Sequence, residues 1–511
     1  MELNINSLMS NSNVRFGTSG VRGLVEKMTD MVCFAYTLGF LQYAVKKSSQ
    51  SFDRVAVAYD LRMSSPRIAR VVRHAVDYFG LTPIDCGMIS TPAVALYGLS
   101  EKIPSIMITG SHISDDRNGI KFNLPEGEIL KHDENAIRQE VINIPNDLFD
   151  KFANLRDNGE ASKTKSDNGD AKQNYINRFI RAFPKDVLSG SRIGFYEHSS
   201  VGRDLLVELY TKLGATVTRL GRSDTFISVD TEAVREEDFL LARNWTNQGN
   251  IEIPPFDAIF STDGDADRPL IFDEHGEWIR GDVAGIITSR FLLADCVITP
   301  VSSSSALELS GWFGKIIRTK IGSPYVVEAM RKAVEDGYKR VVGYEANGGF
   351  LTATSMLLDE EASARPFDAL PTRDPAIVHI ASLCFARSIG ASLSGVMNHL
   401  PRRVVMSDRL KNFPTVLAQR EIDDLASSPE MVQLVFASLG ELVTYDLTDG
   451  IRVVLGDGDI VHLRPSGNAP ELRCYAEAVT KERATALLCQ TMNILDSWRR
   501  RTQNDKHPLS Q

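Results

Sequence analysis

A unit made of a strand, a polar loop, an amphipathic helix and a second strand occurs three times along the chain. The first strand and the helix of the three copies are predicted at residues 54–60 and 67–79, 192–196 and 203–213, and 296–301 and 306–313. Strands that alternate with helices form βαβ units with partly parallel sheets. The copies are spaced far too widely for a solenoid repeat. The repetition therefore predicts three similar α/β domains with mixed sheets.

The remainder of the chain has a different pattern. After residues 388–400, strand-like runs at 402–406, 451–455, 460–463 and 472–477 are interspersed with helical stretches such as 430–439, which predicts a fourth domain of the α+β class. Residues 157–174 have alanine as their only apolar residue type and cannot offset their ordering entropy, so they are predicted to be a linker. Residues 498–511 are predicted to be a solvated tail. The predicted domains are residues 1–160, 171–278, 279–397 and 398–511.

Composition excludes several classes of protein. The 511 residues are 43% hydrophobic and 24% charged, which is ordinary for a globular protein of several domains. A net charge of −9 offers no broad surface for nucleic acid or anionic lipid, so an anionic substrate requires local basic clusters. Six scattered cysteines without a CxxC pair indicate reduced thiols. Because we find neither a signal peptide nor a run of about 18 apolar residues, we expect a cytoplasmic protein without a membrane span.

The first of four distinctive loops, the serine loop, reads TGSHISDDRNGIK at residues 109–121 and follows an apolar strand. Ser111 beside His112, with Lys121 downstream, fits an exposed nucleophile with cationic neighbours, because a hydroxyl needs a base or a metal to attack. The alternative is a polar turn in which Ser111 caps a helix. The loop lacks the GxSxG elbow of acyl hydrolases. This loop alone leaves both alternatives open.

The second loop, the aspartate loop, reads STDGDADR at residues 261–268 between two predicted strands. Asp263, Asp265 and Asp267 alternate with small residues, so their carboxylates can converge on a hard cation such as Mg²⁺. Clustered carboxylates repel one another unless a cation compensates them. A calcium EF-hand loop is the alternative, with Glu274 at its twelfth position. That loop needs glycine at its sixth position, where this chain has Arg268, and flanking helices.

Two further loops carry polar groups that suit a phosphorylated ligand. The glutamate loop, GYEANGG at residues 343–349, offers Glu345 and Asn347 to hydroxyl groups. The arginine loop, RPSGNAPELR at residues 464–473, is rich in hydrogen-bond donors for a phosphate dianion and is not a Walker P-loop. Its donors are Arg464, Ser466, Asn468 and the main-chain amides around Gly467. A nucleophile, a metal site, hydroxyl recognition and a phosphate clamp together indicate phosphoryl transfer in a cleft between domains.

The four loops, in this order and at this spacing, resemble those of the α-D-phosphohexomutase family over nearly the whole chain. The segment FGTSGVRG at residues 16–23, which contains Arg22, resembles an N-terminal active-site segment of that family, and DGI at residues 449–451 resembles its fourth domain. The resemblance implies four domains around a central cleft. It also implies a reversible shift of phosphate between O1 and O6 of a hexose through a 1,6-bisphosphate.

The resemblance further implies a role for each site residue. Ser111 would be the phosphorylated serine, and one Mg²⁺ per chain would be held by its phosphoryl group with Asp263, Asp265 and Asp267. Acid–base and charge-stabilising work near Ser111 is assigned to Arg22, His112 and Lys121. The substrate-binding residues would be Arg268, Lys320, Glu345, Asn347, Arg464, Ser466, Gly467, Asn468 and Arg473. A hexose 1,6-bisphosphate would be the activator, and small hexose phosphates would be the partners of a monomer or homodimer.

The chain departs from the usual pattern of the family in two loops. The serine loop has TGSHIS where the family usually has TASHNP, and the Ser–His pair is retained. The glutamate loop has YEANGG where the family often has GEMSGH, so Gly349 replaces a histidine and the glucosamine type is disfavoured. Both loops resemble bacterial phosphomannomutases best, and we expect mannose phosphates as substrates. The alternatives are a phosphoglucomutase, a dual-specificity mutase, a metal-dependent sugar phosphatase and a non-catalytic sugar-phosphate sensor.

Overall fold

The computed structural model describes residues 1–17, 20–145, 147–157, 159–247, 255–358, 365–466 and 470–504. Two compact units are present. Unit 1 consists of Met1–Val297 and Gly322–Val396, and unit 2 consists of Ile298–Ile321 and Met397–Gln511. The mixed α/β class that the repeats predict is confirmed. The four predicted domain boundaries stay predictions.

The first third of unit 1 is built on a mixed sheet of eight strands. Its elements are β1 (Glu2–Asn4), α1 (Ile5–Ser12), β2 (Arg15–Phe16), β3 (Gly20–Leu24), α2 (Asp30–Lys47), β4 (Arg54–Tyr59), α3 (Ser65–Tyr78), β5 (Thr82–Met88), α4 (Thr91–Glu101), β6 (Ser105–Ile108), β7 (Arg117–Leu124), β8 (Gly127–Glu128), α5 (Lys131–Gln139), β9 (Val141–Asn143), β10 (Lys165–Ser166) and α6 (Asp170–Ala182). The strands β4, β5 and β6 are parallel, whereas β7 runs antiparallel to β6. The serine loop therefore connects two neighbouring strands and begins at the carboxyl end of a parallel one.

The predicted linker at residues 157–174 is wrong in part. Residues 165–166 form β10, which pairs with β5, and α6 begins at Asp170. The Glu160 carboxylate accepts two hydrogen bonds from the Arg73 guanidinium, at 2.9 and 2.8 Å, and the Ser162 hydroxyl donates to Asp77. Ion pairs and strand pairing hold this segment, and a prediction based on apolar burial alone leaves those contacts out.

The middle of unit 1 contains a second mixed sheet, with the strand order β12-β11-β13-β14-β15. Its elements are β11 (Arg192–His198), α7 (Arg203–Lys212), β12 (Thr216–Arg222), α8 (Glu236–Thr246), β13 (Ala258–Thr262), β14 (Pro269–Phe272), β15 (Trp278–Ile279) and α9 (Gly281–Phe291). β11 is parallel to β12 and β13, and β13 is antiparallel to β14. The aspartate loop is the connection between β13 and β14.

The third repeat leads into the glutamate loop. Its elements are β16 (Cys296–Pro300), α10 (Ala306–Leu309), β17 (Lys315–Thr319), α11 (Ser323–Glu335), β18 (Val341–Tyr344), β19 (Phe350–Thr352), α12 (Pro375–Ser388), α13 (Leu393–Val396) and a 3₁₀ turn at Met397–His399. The antiparallel strands β18 and β19 hold the glutamate loop between them. The helix predicted at residues 306–313 ends at Leu309, because Gly311 adopts a left-handed φ of +65° that terminates a helix.

The rest of unit 2 is an antiparallel sheet with helices, as expected for an α+β domain. Its elements are β20 (Val404–Lys411), α14 (Thr415–Ala426), α15 (Pro429–Phe436), β21 (Leu442–Asp446), β22 (Ile451–Leu455), β23 (Ile460–Pro465), β24 (Glu471–Ala478) and α16 (Lys481–Asn504). The predicted tail at residues 498–511 is wrong up to residue 504, since α16 includes that part and Trp498 is only 2% exposed. Leu487, Leu495 and Trp498 lie at helical spacing on the face that packs into the core.

Among the described residues no single helix is long and apolar enough to cross a membrane, although the bent pair Pro375–Ser388 and Leu393–His399 meets that test by length and composition.

Candidate active site

Ser111 lies in a tight turn between β6 and β7. Its backbone φ is +56°, in the left-handed region that non-glycine residues adopt where their surroundings fix them. The Ser111 amide donates to the side-chain oxygen of Thr109 at 2.7 Å, and the Ser111 hydroxyl donates to Asp263 Oδ2 at 2.6 Å. No helix begins at Ser111, so the helix-cap alternative is wrong. The turn directs the hydroxyl towards the aspartate loop.

Arg62 holds the serine loop from behind. This residue follows β4, is fully buried, lies 3.3 Å from the Asp60 carboxylate and stacks over the Phe226 ring. Its guanidinium donates to four main-chain carbonyls of the serine loop, those of Ser111 (3.0 Å), Ile113 (2.5 Å), Ser114 (2.7 Å) and Arg117 (2.9 Å). Our sequence analysis missed Arg62. Its position after a parallel strand, where functional groups of α/β sheets gather, was the available signal.

The three aspartates of the aspartate loop are fully buried and converge as the sequence predicts. One carboxylate oxygen from each lies within 4.8 Å of the others. Lys121 Nζ donates to Asp265 Oδ2 at 2.6 Å and to Asp267 Oδ2 at 2.7 Å. Within the described part of the chain, the Oδ1 atoms of Asp265 and Asp267 accept no hydrogen bond. Buried carboxylate oxygens without donors suit a hard cation, so these residues fit a divalent metal.

The two loops approach each other closely. A Cβ atom added to Gly264 would lie 2.7 Å from the main-chain oxygen of Ser111 and 3.2 Å from the Phe226 ring, so only glycine fits there. The EF-hand alternative is wrong because strands flank the loop and Glu274 accepts hydrogen bonds from the hydroxyl and the amide of Ser394. Close packing thus fixes the position of Ser111 relative to the aspartates.

Burial and charge shift the pKa values of these carboxylates in opposite directions. Burial, together with the negative charges of Asp265 and Asp267, raises the pKa of Asp263 well above its usual range. Burial acts the same way on Asp267, but the positive charges of Arg373, Lys121 and Arg268 outweigh it and lower its pKa. The protein's own cations therefore hold Asp267 as an anion.

His112 is a neutral neighbour of the serine. Its Nδ1 lies 3.2 Å from Ser111 Oγ and 2.9 Å from an Arg268 guanidinium nitrogen. Because a guanidinium only donates, Nδ1 is the accepting nitrogen of this ring. Burial, followed by the positive charges of Arg268 and Arg22, lowers the pKa of His112 to about 2. Burial and Arg268 also lower the pKa of Arg22 to about 10, which places Arg22 in the same electrostatic cluster.

The glutamate loop is a tight turn with nearly buried polar side chains. Asn347 Oδ1 accepts a hydrogen bond from the Gly349 amide at 2.9 Å, and the Asn347 main-chain oxygen accepts from the Thr231 hydroxyl at 2.7 Å. The Asn347 oxygen thus shapes the turn, which leaves its amide nitrogen as the donor for a ligand. Glu345 Oε2 lies 3.4 Å from an Arg373 nitrogen.

Arg373, a second residue that our sequence analysis missed, connects this turn to the aspartate loop. Its Nε donates to Asp267 Oδ2 at 2.9 Å, and one terminal nitrogen lies 2.8 Å from the same oxygen. The available signal was the charged pair Arg373–Asp374 directly before the apolar helix α12, which Asp374 caps. Unit 1 therefore brings together Ser111, His112, Lys121, the three aspartates, Arg268 and Glu345 as the sequence predicts.

The arginine loop belongs to unit 2. Arg409, Arg464 and Arg473 lie directly opposite one another on β20, β23 and β24. Like charges in this arrangement repel unless anions compensate them, and Asp449 Oδ2 lies 3.4 Å from Arg464 Nε. Ser466 is buried, and its amide donates to the Glu471 carbonyl. Glu471 Oε2 lies 3.7 Å from Arg409 and 4.0 Å from Arg473, so two carboxylates face three arginines, a set that suits an additional anion such as phosphate.

Of three other residues predicted to bind substrate, the structure describes only Lys320. Lys320 of unit 2 is exposed, and the amide of the next residue, Ile321, donates to Asp449 Oδ2 at 3.0 Å. The predicted residues Gly467 and Asn468 lie outside the described residues. Arg409 was not predicted, and its opposition to Arg473 could not be read without the strand register.

The chain is similar to known proteins over most of its length. Family models described as phosphoglucomutase/phosphomannomutase match the chain at residues 13–147 (alpha/beta/alpha domain I), 280–403 (alpha/beta/alpha domain III) and 406–493 (C-terminal domain). A Salmonella muenchen protein named phosphomannomutase is 42% identical over 97% of this chain and 98% of its own length. One from Sinorhizobium fredii is 40% identical over 94% and 99%. The crystal structure of a phosphoglucomutase/phosphomannomutase family protein from Burkholderia thailandensis shares the fold, with a TM-score of 0.69, 18% identity and coverage of 94% and 97%.

Proposed function

We propose that this chain, which belongs to the phosphoglucomutase/phosphomannomutase family of phosphohexomutases, interconverts mannose 1-phosphate and mannose 6-phosphate. A phosphohexomutase is an isomerase. The observation that carries the proposal is the Ser111 hydroxyl, 2.6 Å from Asp263 in a buried group of three aspartates. The choice of mannose rests on the two relatives named phosphomannomutase, which are 42% and 40% identical to this chain.

The proposed reaction begins with phosphorylated Ser111. The 6-hydroxyl of mannose 1-phosphate attacks the phosphorus, so an O6–P bond forms, the Oγ–P bond breaks and the proton of the 6-hydroxyl is passed to Ser111 Oγ. The resulting 1,6-bisphosphate reorients. Ser111 Oγ then attacks the 1-phosphoryl group, the O1–P bond breaks and the serine proton is passed to O1, which leaves mannose 6-phosphate and restores the phosphoserine. Transfer of this kind needs positioning and charge compensation more than covalent chemistry from the protein.

The residues around Ser111 supply the positioning and the charge. Arg22, His112 and Lys121 are assigned to proton transfer and charge stabilisation, and Arg268 orients the neutral His112 ring through Nδ1. Bound Mg²⁺, held by Asp263, Asp265, Asp267 and the phosphoryl group, would supply positive charge to the transferred group. The hydroxyl of unphosphorylated Ser111 faces Asp263, so its proton has an acceptor when the serine is rephosphorylated.

The remaining residues are assigned to the substrate. Glu345 and Asn347 are proposed to bind sugar hydroxyls. The proposed phosphate ligands are Lys320, Arg464, Ser466, Gly467, Asn468 and Arg473. Hexose 1,6-bisphosphate is the proposed activator, because it can phosphorylate an empty Ser111. We also propose a cytoplasmic monomer or homodimer that acts on small hexose phosphates and on neither nucleic acid nor membranes, in keeping with the net charge of −9.

Phosphorus NMR tests the reaction and the substrate together. The protein, Mg²⁺ and a trace of glucose 1,6-bisphosphate are incubated with mannose 1-phosphate or, separately, glucose 1-phosphate. Faster formation of the mannose 6-phosphate signal is expected. Equal rates would indicate a dual-specificity mutase, and a faster glucose reaction would indicate a phosphoglucomutase. Release of inorganic phosphate alone would indicate a phosphatase, and no conversion would favour a sensor.

Ser111→Ala tests the phosphoserine directly. The variant lacks the group that carries the phosphoryl, so we expect mutase turnover to vanish while binding of mannose 1-phosphate, measured by calorimetry, persists. Ser114→Ala is the matched control, because Ser114 is an exposed serine of the same loop whose hydroxyl donates to Asp116. An unchanged rate for Ser111→Ala would disprove the assignment.

A further inference from the structure

The glutamate loop has glycine at position 349, where the side chain of Arg373 leaves no space for a larger residue. The backbone of Gly349 is outside the left-handed region, so its conformation alone would accept another residue. A Cβ atom added there would lie 2.7 Å from Arg373 Cγ, closer still to Arg373 Cδ, and 3.1 Å from Asn347 Oδ1. Loops of the GEMSGH type have a histidine at this position. The aliphatic part of Arg373 therefore occupies the space into which that histidine side chain would begin to project.

The Arg373 guanidinium makes contacts with carboxylates from three parts of unit 1. Its Nε donates a hydrogen bond to Asp267 at 2.9 Å, one terminal nitrogen lies 2.8 Å from the same carboxylate, and the guanidinium lies 3.4 Å from Glu345 and 3.9 Å from Glu128. Glu128 is itself fixed by the hydroxyls of Thr372 and Ser323, at 2.5 and 3.0 Å. The Arg373 side chain is 3% exposed. Most of its donors are therefore committed to protein carboxylates.

We infer that Arg373 is a positioning residue that fixes the sugar-binding Glu345 relative to the aspartate loop and thereby sets the selectivity between hexose phosphates. The inference rests on the proposed function. All three nitrogens of the Arg373 guanidinium lie within 3.4 Å of a protein carboxylate, so Arg373 acts through Asp267 and Glu345, the two carboxylates that it holds. Epimeric hexoses differ in the direction of one hydroxyl, and a carboxylate that shifts slightly discriminates between them less well.

Arg373→Lys is the first test, with Arg178→Lys as the matched control. Lysine keeps the charge but loses the planar fork that reaches two carboxylates at once. Arg178 is an equally buried arginine whose carboxylate partner is Asp374, at 2.6 Å, and its guanidinium also donates to the Asp368 carbonyl and the Thr352 hydroxyl. For Arg373→Lys we expect kcat/KM for mannose 1-phosphate to fall on the order of 10- to 100-fold. We expect most of this loss to come from a higher KM. The ratio of kcat/KM for mannose 1-phosphate to kcat/KM for glucose 1-phosphate should move closer to one.

A merely structural role predicts a different result. If Arg373→Lys and Arg178→Lys lower the melting temperature alike and neither changes the mannose-to-glucose ratio, the inference is overturned. A readout without turnover is binding of the two hexose 1-phosphates to each variant in the Ser111→Ala background, measured by calorimetry. We expect Arg373→Lys, and not Arg178→Lys, to lose discrimination in binding.

The steric relation between positions 349 and 373 gives a second test. Gly349→His alone should disturb the site, because its side chain meets Arg373. In combination with Arg373→Ala the same histidine has room, so the double variant should be more active than Arg373→Ala alone. Equal activity of Arg373→Ala and of the double variant would contradict the idea that a histidine at position 349 can take the place of the Arg373 side chain.

These outcomes separate the inference from the proposed function. If the wild-type protein makes no mannose 6-phosphate, the proposed function fails, and the binding comparison alone decides the role of Arg373. If the wild type is an active mutase and Arg373→Lys matches Arg178→Lys in every ratio, only the inference fails. A wild type that binds neither hexose phosphate overturns both.

Discussion

The left-handed backbone of Ser111 is maintained by contacts between Arg62 and the serine loop as a whole. The Arg62 guanidinium donates hydrogen bonds to four main-chain carbonyls of the serine loop, and burial beside Asp60 and Phe226 fixes the position of that guanidinium. Strained residues persist only where the surrounding structure over-determines them. The reactive hydroxyl is therefore positioned by an arginine about fifty residues earlier in the sequence.

Arg62→Lys tests this dependence. A lysine ammonium cannot reach four carbonyls and stack on Phe226, so the loop should relax and kcat/KM should fall on the order of 10- to 100-fold. The phosphorus NMR assay measures the rate, and binding of mannose 1-phosphate shows whether the fold persists. Arg67→Lys is the control, because Arg67 binds Asp30 and the Met28 carbonyl, away from the loop. Wild-type turnover by Arg62→Lys would contradict the prediction.

Elements were predictable where periodicity is strong. The strands predicted at residues 54–60, 192–196 and 451–455 match β4, β11 and β22 closely, because continuous or alternating apolar residues have few other solutions. The four loops were recognisable because each is a short run of adjacent residues. Arg62 and Arg373 were not, because their partners are distant in sequence and a lone arginine has no pattern. The helix predicted at residues 306–313 is too long, because the apolar pattern does not show that Gly311 ends the helix with a left-handed backbone.

The C-terminal helix α16 has a polar sequence but packs into the hydrophobic core of unit 2. Its basic residues suggested a tail, yet Trp498 is buried among the residues of unit 2, with Leu487 and Leu495 on the same face. Apolar residues at spacings of three and four predict that one face of a helix is buried, even where the average composition of the helix is polar.

Trp498→Ala should therefore destabilise the protein. Loss of a fully buried tryptophan costs about 3–5 kcal/mol of the free energy of unfolding. Urea denaturation followed by circular dichroism measures that loss. Ser497→Ala, an exposed neighbour on the same helix, should change it by less than about 0.5 kcal/mol. A solvated tail would instead make both substitutions equally harmless.

On the scale of the whole molecule, both units contain histidines that are buried in the neutral form. Burial lowers the pKa of His379 in unit 1 to about 3 and that of His462 in unit 2 to about 4. His379 stacks on Phe260 with ring centres 4.3 Å apart, and its Nδ1 lies 2.6 Å from the Tyr210 hydroxyl. Burial raises the pKa of Tyr210, so that hydroxyl also stays neutral. Burial is the largest influence on the pKa of both histidines, and the negative charge of Asp449 beside His462 raises the pKa of that histidine by less than burial lowers it.

The sign of the resulting pH dependence follows from linkage. A histidine in the unfolded chain has a pKa of about 6.5. Below that pH the unfolded chain binds a proton that the folded chain does not bind, so the free energy of unfolding falls. The contribution is fully present above pH 6.5 and is lost progressively down to the folded pKa. For His379 this amounts to about 2 kcal/mol between pH 7 and pH 5.

His379→Gln should remove that part of the acid sensitivity. Urea unfolding of the variant and the wild type at pH 7 and pH 5 gives the difference, and the variant should lose about 2 kcal/mol less on acidification, whatever its stability at pH 7. Carboxylates contribute equally to both proteins and cancel in the comparison. His275→Gln, at an exposed position, is the matched control for the substitution itself. An identical pH dependence for His379→Gln and the wild type would mean that His379 takes up its proton in the folded protein as readily as in the unfolded one.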